Sequence, residues 1–145
     1  MEYTIKQATI IDVPQIKEIS DIMLKETKLG IATVKKIRNL VTGGNTVVYI
    51  ATADDKCVGF ICGIMYENIF NDVIRVSDIG VFVLPEYRRT SIATDFINKL
   101  EQWAKMKKAN QLWVGQTTGT NIEGTKLFYE KLGFELTGVN AMKEI

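Results

Sequence analysis

Chemistry concentrates in one stretch of this chain, Val81-Phe82-Val83-Leu84-Pro85-Glu86-Tyr87-Arg88-Arg89-Thr90-Ser91-Ile92-Ala93. Arg88 and Arg89 carry planar cations suited to phosphate, followed by the small residues Thr90, Ser91 and Ala93. A helix starting at Ile92 would aim its unpaired N–H groups and the positive end of its dipole at the same loop. Together these features describe a pyrophosphate cradle. The plainer reading is a strand-to-helix turn whose arginines are only solvated.

The flanking residues say what holds the loop. Val73, Ile74, Val76, Ile79, Val81 and Val83 are β-branched and suit a largely buried strand, and Pro85 ends it. Ile92, Phe96, Leu100, Trp103 and Ala104 recur at helical spacing, with Asp95, Asn98, Lys99, Gln102 and Lys105 on the other side. Further upstream, Tyr3, Ile5 and Ala8 open a short strand. Asp12-Val13-Pro14-Gln15 reads as a capped helix start, carrying the stripe Ile16, Ile19, Ile22 and Met23 to a stop at Gly30. A second helix bears Val34, Ile37, Leu40 and Val41 and ends at Gly43-Gly44. Strands at 46–52 and 57–66 are joined by the turn Ala53-Asp54-Asp55-Lys56. After the long helix come a strand at 111–116, a helix at 121–132 capped by Gly133, and terminal strands at 134–137 and 141–145.

The chain has 145 residues, 46% hydrophobic and 24% charged, with net charge +1. That suits one domain over residues 1–145, with no general attraction to nucleic acid or membrane. No apolar run approaches the ~20 residues that span a bilayer, and Met1 to Lys6 does not read as a signal peptide. The expectation is cytoplasmic. Cys57 and Cys62 lie on one strand, where regular alternation puts them on opposite faces as reduced structural thiols. There is no histidine, which excludes Ser–His and Cys–His nucleophile pairs and most zinc sites. No metal is expected. Trp103 and Trp113 fit core positions, and Lys35, Lys36 and Arg38 form a basic group suited to a solvated helix face.

Val83-x-Pro85 followed by Arg88-x-x-Ser91-x-Ala93 resembles motif A of the GNAT superfamily of acyl-CoA-dependent N-acetyltransferases. Leu127-Phe128-Tyr129-Glu130-Lys131-Leu132-Gly133-Phe134 is similar to the end of its motif B. The resemblance implies an α/β (α+β) fold: a mixed, mostly antiparallel sheet flanked by helices, with central strands splayed to admit acetyl-CoA. It places the cofactor against Val81, Phe82 and Val83 through backbone groups, and against Arg88, Arg89, Thr90, Ser91, Ile92 and Ala93 at the pyrophosphate. Ser91 stands where the family usually has Gly, which is accommodated only at negative φ. Asn121 resembles the motif B asparagine that touches the pantetheine arm, and is equally a good N-cap.

The family reaction is direct attack by an amine in a ternary complex. Tyr129 resembles the tyrosine that protonates the leaving thiolate, or else it is a packed aromatic. Asp78 lies close to where many members hold a carboxylate that takes the amine proton through water. Its other reading is a strand carboxylate paired with Arg75 or facing solvent. Glu67 and Asp72 are candidates to bind a cationic acceptor. A small cationic amine is the favoured acceptor. A protein or peptide amine is the alternative, as is a non-catalytic module that binds CoA or a partner. No nucleic-acid or membrane partner is expected, and the chain is read as a monomer or homodimer.

Overall fold

The computed structural model describes residues 1–28, 30–115 and 121–145, which pack as two compact units, Met1–Trp113 and Val114–Ile145. In the first unit the order is β1 (Thr4–Gln7), α1 (Val13–Glu26), α2 (Val34–Thr42), β2 (Thr46–Ala53), β3 (Lys56–Glu67), β4 (Ile74–Val83), α3 (Ile92–Met106) and β5 (Gln111–Trp113). The second holds α4 (Ile122–Lys131).

The five strands form one sheet in sequence order, antiparallel except for the parallel β4–β5 pair. The tightest of the links is β2 to β3. Asp54 (φ 49°) and Asp55 (φ 60°) are both left-handed between paired Ala53 and Lys56, the geometry of a two-residue hairpin turn. Only β4 to β5 needs a crossover, and α3 supplies it.

One face of the sheet packs on α1 and α2. Ile16, Ile19 and Ile37 cluster there with Val48, Ile50, Phe60, Cys62 and Phe82. On the other face lies α3, with Ile92, Phe96, Leu100 and Trp103 buried. Two glycines let it approach. A Cβ on Gly59 would sit 2.8 Å from the Phe82 carbonyl oxygen and 3.3 Å from the Phe96 ring, and one on Gly63 would sit 2.3 Å from Leu100 Cδ1.

Two irregularities override simple alternation. Ala51 pairs with Gly59 but Thr52 with Cys57, so Val58 is a bulge in β3. This inserted residue puts Cys57 on the same face as Phe60 and Cys62, in the α1–α2 core, instead of opposite Cys62 as alternation predicts. Both cysteines are free and buried. Burial pushes the Cys57 thiol up to about 11 and the Cys62 thiol up to about 12, so neither is a nucleophile at neutral pH. The second bulge, in β4, belongs to the site below.

Other expectations are corrected. Asp12 does not cap α1 with Gln15. A 3-10 turn (Ile10–Asp12) precedes the helix, and the buried Asp12 carboxylate accepts from the Thr9 amide at 2.8 Å and from Lys6 Nζ at 3.0 Å. Gln15 Oε1 instead accepts the Cys57 amide at 2.8 Å, beside the β3 bulge. Burial raises the Asp12 pKa, but the Thr9 amide and then Lys6 outweigh it and hold the carboxyl below its ordinary 3.8. A depressed pKa adds stability above the unfolded-state value, and that stability is lost as pH falls through the folded one. Asp12→Asn is therefore expected to cost ~1–3 kcal/mol at pH 7. The gap to the parent should narrow on acidification below 3.8, measured by urea unfolding across pH. A gap constant down to pH ~2 would contradict this assignment.

Trp103 is buried as expected, whereas Trp113 is 36% exposed. It lies on the short outer strand β5, with Arg75 stacked 4.7 Å over its ring and its Nε1–H donated to Gln111. The strand expected at 111–116 stops at Trp113, and Gln116 lies outside the described residues. In the second unit the strands expected at 134–137 and 141–145 are absent. Leu136, Val139, Met142 and Ile145 are exposed, and a two-stranded ribbon with no third strand to bury a face is marginal. Among the described residues no helix is long and apolar enough to cross a membrane.

Candidate active site

The site begins where β4 leaves its neighbour. Pairing with β5 covers only Arg75, Val76 and Ser77, so from Ile79 to Val83 that edge of β4 has no ladder partner among the described residues. On its other edge β4 continues along β3 to the Gly59–Val83 pair. The Leu84 amide donates to the Val58 carbonyl at 2.9 Å. Antiparallel alternation then turns the polar groups of Phe82 into the β3 ladder and those of Val81 and Val83 toward the open edge. Of the three residues expected to offer backbone groups to a pantetheine arm, Val81 and Val83 face the opening. Phe82 does not, and its side chain is part of the α1–α2 core.

The chain then turns through Pro85–Tyr87 into α3. Arg89 takes the left-handed conformation (φ 67°). Thr90 Oγ1 donates to the Tyr87 carbonyl at 2.7 Å and receives the Ile92 amide at 3.4 Å. Ser91 has φ −80°, a conformation any residue adopts, so its side chain is accommodated without strain. It makes no side-chain cap, and the amides of Ala93 and Thr94 have no acceptor among the described residues. The helix start is therefore open to an anion.

The Ser91 hydroxyl is engaged elsewhere, by Tyr3, which no motif marks. Tyr3 Oη donates to Asp95 Oδ2 at 2.5 Å, which leaves Tyr3 to accept from Ser91 Oγ, also at 2.5 Å. The bond to Asp95 raises the Tyr3 pKa and keeps the Asp95 carboxylate occupied one turn from the cradle. Ser91→Gly would lose this tie and gain backbone freedom. The rise in Tm that acetyl-CoA gives Ser91→Gly should thus be equal to or smaller than the parent's. A larger rise would show that the Ser91 side chain crowds the phosphates.

Arg88 is committed to the protein. Its Nε donates to the Val83 carbonyl at 2.9 Å, its Nη2 reaches both carboxylate oxygens of Glu26 at 3.1 and 3.2 Å, and its guanidinium lies 5.2 Å over the Phe82 ring. It fastens the end of β4 to the end of α1. Arg89 has no ion pair among the described residues.

Gly63 pairs with Asp78 and Cys62 with Gly80, so Ile79 is an extra residue in β4. Asp78 shares the face of Gly63, toward α3, while Ile79 and Gly80 line a cavity of about 300 Å³ between the sheet and α1–α2. Glu67 and Asp72 are exposed at the far end of the β3–β4 hairpin and do not line this cavity. Glu67 is four residues beyond Gly63, ~13 Å along the strand. The fold thus gathers Val81, Val83 and Arg88–Ala93 and leaves Glu67 and Asp72 apart from them.

In the second unit, Asn121 (φ 48°) caps α4, accepting the Gly124 amide on Oδ1 at 3.2 Å. A Cβ on Gly124 would lie 2.4 Å from Asn121 Nδ2, so a larger residue there would make the Asn121 side chain shift. Tyr129 is buried, its ring between Phe128 and Phe134 at centroid distances of 5.4 and 5.7 Å. Its hydroxyl donates to the Gly115 carbonyl at 3.3 Å.

This architecture is shared widely. An aminoglycoside acetyltransferase from an uncultured soil metagenomic sample superposes with TM-score 0.82 at 16% identity, covering 100% of this chain and 99% of that one. AAC(6')-Iy, in complex with the bisubstrate analogue CoA-S-monomethyl-acetylneamine, gives 0.80 at 20% identity, over 100% and 99%. In sequence, residues 44–136 match the acetyltransferase (GNAT) domain family. An aminoglycoside N(6')-acetyltransferase type 1 of Acinetobacter baumannii is 32% identical over 110 residues, 72% of this chain and 73% of that protein. An uncharacterized N-acetyltransferase of Methanocaldococcus jannaschii is 33% identical over 92 residues, 60% of this chain but only 38% of that longer protein. The chain belongs to the GNAT family of acetyltransferases. Acyl-CoA-dependent N-acetyl transfer is that family's class of chemistry.

Proposed function

We propose that this protein moves the acetyl group of acetyl-CoA to the primary amine of a small acceptor, by direct attack in a ternary complex. The observation that carries this reading is the edge of β4 from Ile79 to Val83, without a ladder partner among the described residues, running into the start of α3, which has no side-chain cap among them. Val81 and the Val83 N–H are oriented to pair with an extended amide chain. The Ala93 and Thr94 amides, with Arg89, suit its pyrophosphate. Acetyl-CoA, when bound, supplies a thioester carbonyl with a good leaving group. The relative that acts on aminoglycosides supports a small amine acceptor.

The acceptor amine, with pKa near 10, is almost wholly protonated at pH 7, so its proton must be taken. Asp78 is our candidate for that base. Its face is opposite the cavity, so it would act through water along the open edge of β4 instead of by direct contact. Tyr129 is our candidate acid for the leaving thiolate. Its hydroxyl carries a proton it can donate, and its 3.3 Å bond to Gly115 is long for a hydroxyl donor. The two buried reduced thiols fit a reducing compartment such as the cytoplasm.

The test has two parts. Millimolar acetyl-CoA should raise Tm, because a ligand of the native state stabilises it. Thiol release should then depend on added amine. Stabilisation without release from any amine would favour a CoA-binding module, and no stabilisation would remove the reading altogether.

A further inference from the structure

We propose that the acceptor is a primary amine on an apolar body that also carries an anionic group, held in the cavity between α1, α2 and the sheet. This rests on the transferase reading above and names the substrate class of that site. The cavity, about 300 Å³, is lined by Ile16, Met23, Ile37, Phe60 and Ile79 among other apolar side chains. It reaches the β4 bulge at Ile79 and Gly80, next in the chain to Val81, so an amine at that end meets the open edge.

The charges decide the class. Among the described lining residues Lys36 is the one charged side chain, exposed at its outer face, with Ser20 and Thr33 as polar company. Among the described residues Lys36 has no ion pair. Among the described residues no carboxylate lines the cavity. The nearby acids are already engaged, Asp21 by Lys17 and the Ala32 amide and Glu26 by Arg88. A polycation would have to desolvate several ammonium groups against aliphatic side chains and a lysine, with nothing to pair them. A single amine gives up its proton before it reacts, and a carboxylate elsewhere on the same molecule would pair with Lys36. The volume is at the small end of ligand sites.

The experiment uses the whole chain with acetyl-CoA. Phenylalanine and phenethylamine differ only by a carboxylate, and spermidine and kanamycin represent polycations. Binding to the CoA-loaded protein is measured by calorimetry and turnover by thiol release. We expect phenylalanine to bind at least tenfold tighter than either polycation and tighter than phenethylamine. Lys36→Glu should reverse the order within the phenylalanine–phenethylamine pair while stabilisation by CoA persists. Tighter binding of spermidine or kanamycin, no binding of either aromatic probe, or an unchanged order in Lys36→Glu overturns the proposal. Binding of phenylalanine without turnover of any amine supports this assignment of the cavity and sinks the transferase reading. Turnover confined to polycations does the opposite.

Discussion

Tyr129→Phe is expected to lower kcat about 100-fold, the lower range for a positioned general acid, with little change in the acetyl-CoA concentration that half-saturates the enzyme. The substitution removes one hydroxyl and keeps the ring between Phe128 and Phe134. The lost bond to Gly115 should cost ~1 kcal/mol of stability, too little to unfold a typical domain. Loss of kcat in a folded protein that still binds CoA therefore separates chemistry from packing. A more acidic leaving group needs less help from an acid, so an activated aryl thioester should recover much of the lost rate in the variant. Full activity of Tyr129→Phe on acetyl-CoA would end the assignment.

The second large effect is on the scaffold. Gly59→Ala should destabilise the protein by ~2–3 kcal/mol, measured by chemical denaturation. The new methyl would meet the Phe82 carbonyl at 2.8 Å, and backbone cannot swing aside as a side chain tip can. Gly63→Ala makes the closer nominal contact, 2.3 Å, but with Leu100 Cδ1, the end of a flexible side chain. It should cost less. The order Gly59 above Gly63 is the informative result, since raw distance predicts the reverse. Because Gly59 faces Val83, the same variant should also weaken binding of acetyl-CoA at the open edge.

Much of this was legible in advance. β-branched runs, helical stripes and turn residues located every strand and helix of the first unit to within a few residues, because periodicity reports which face is buried. The parting of β4 from β5 was expected from the motif resemblance and is present. Alternation failed at the two bulges, since an extra residue leaves no local signature in composition. Val58 therefore moved Cys57 to the other face, and Ile79 separated Asp78 from the cavity. The terminal strands failed because propensity at Phe134 or Val139 cannot say whether a third strand will be there to pair.

The candidate site divides the same way. The loop from Arg88 to Ala93 announced itself by composition, and its Ser91 is strain-free as the negative φ requires. The partners of that loop did not. Glu26 takes Arg88 from sixty-two residues away and Tyr3 takes Ser91 from eighty-eight, contacts that only the assembled fold creates. Glu67 and Asp72 stand out by charge and nearness in the chain, but the hairpin carries them to its far tip.

The extra residue in β4 has a consequence for how this protein can diverge. Every other position in that stretch answers to a partner across the ladder, so changing its side chain also tests the pairing. Ile79 answers to none, yet it borders the cavity. Exchanges there should be tolerated by the fold while altering what the cavity admits, so its selectivity can change one codon at a time. Deleting the same codon would instead rotate Asp78 and all that precedes it relative to Gly80 and all that follows. The identity of residue 79 is negotiable, and its presence is not.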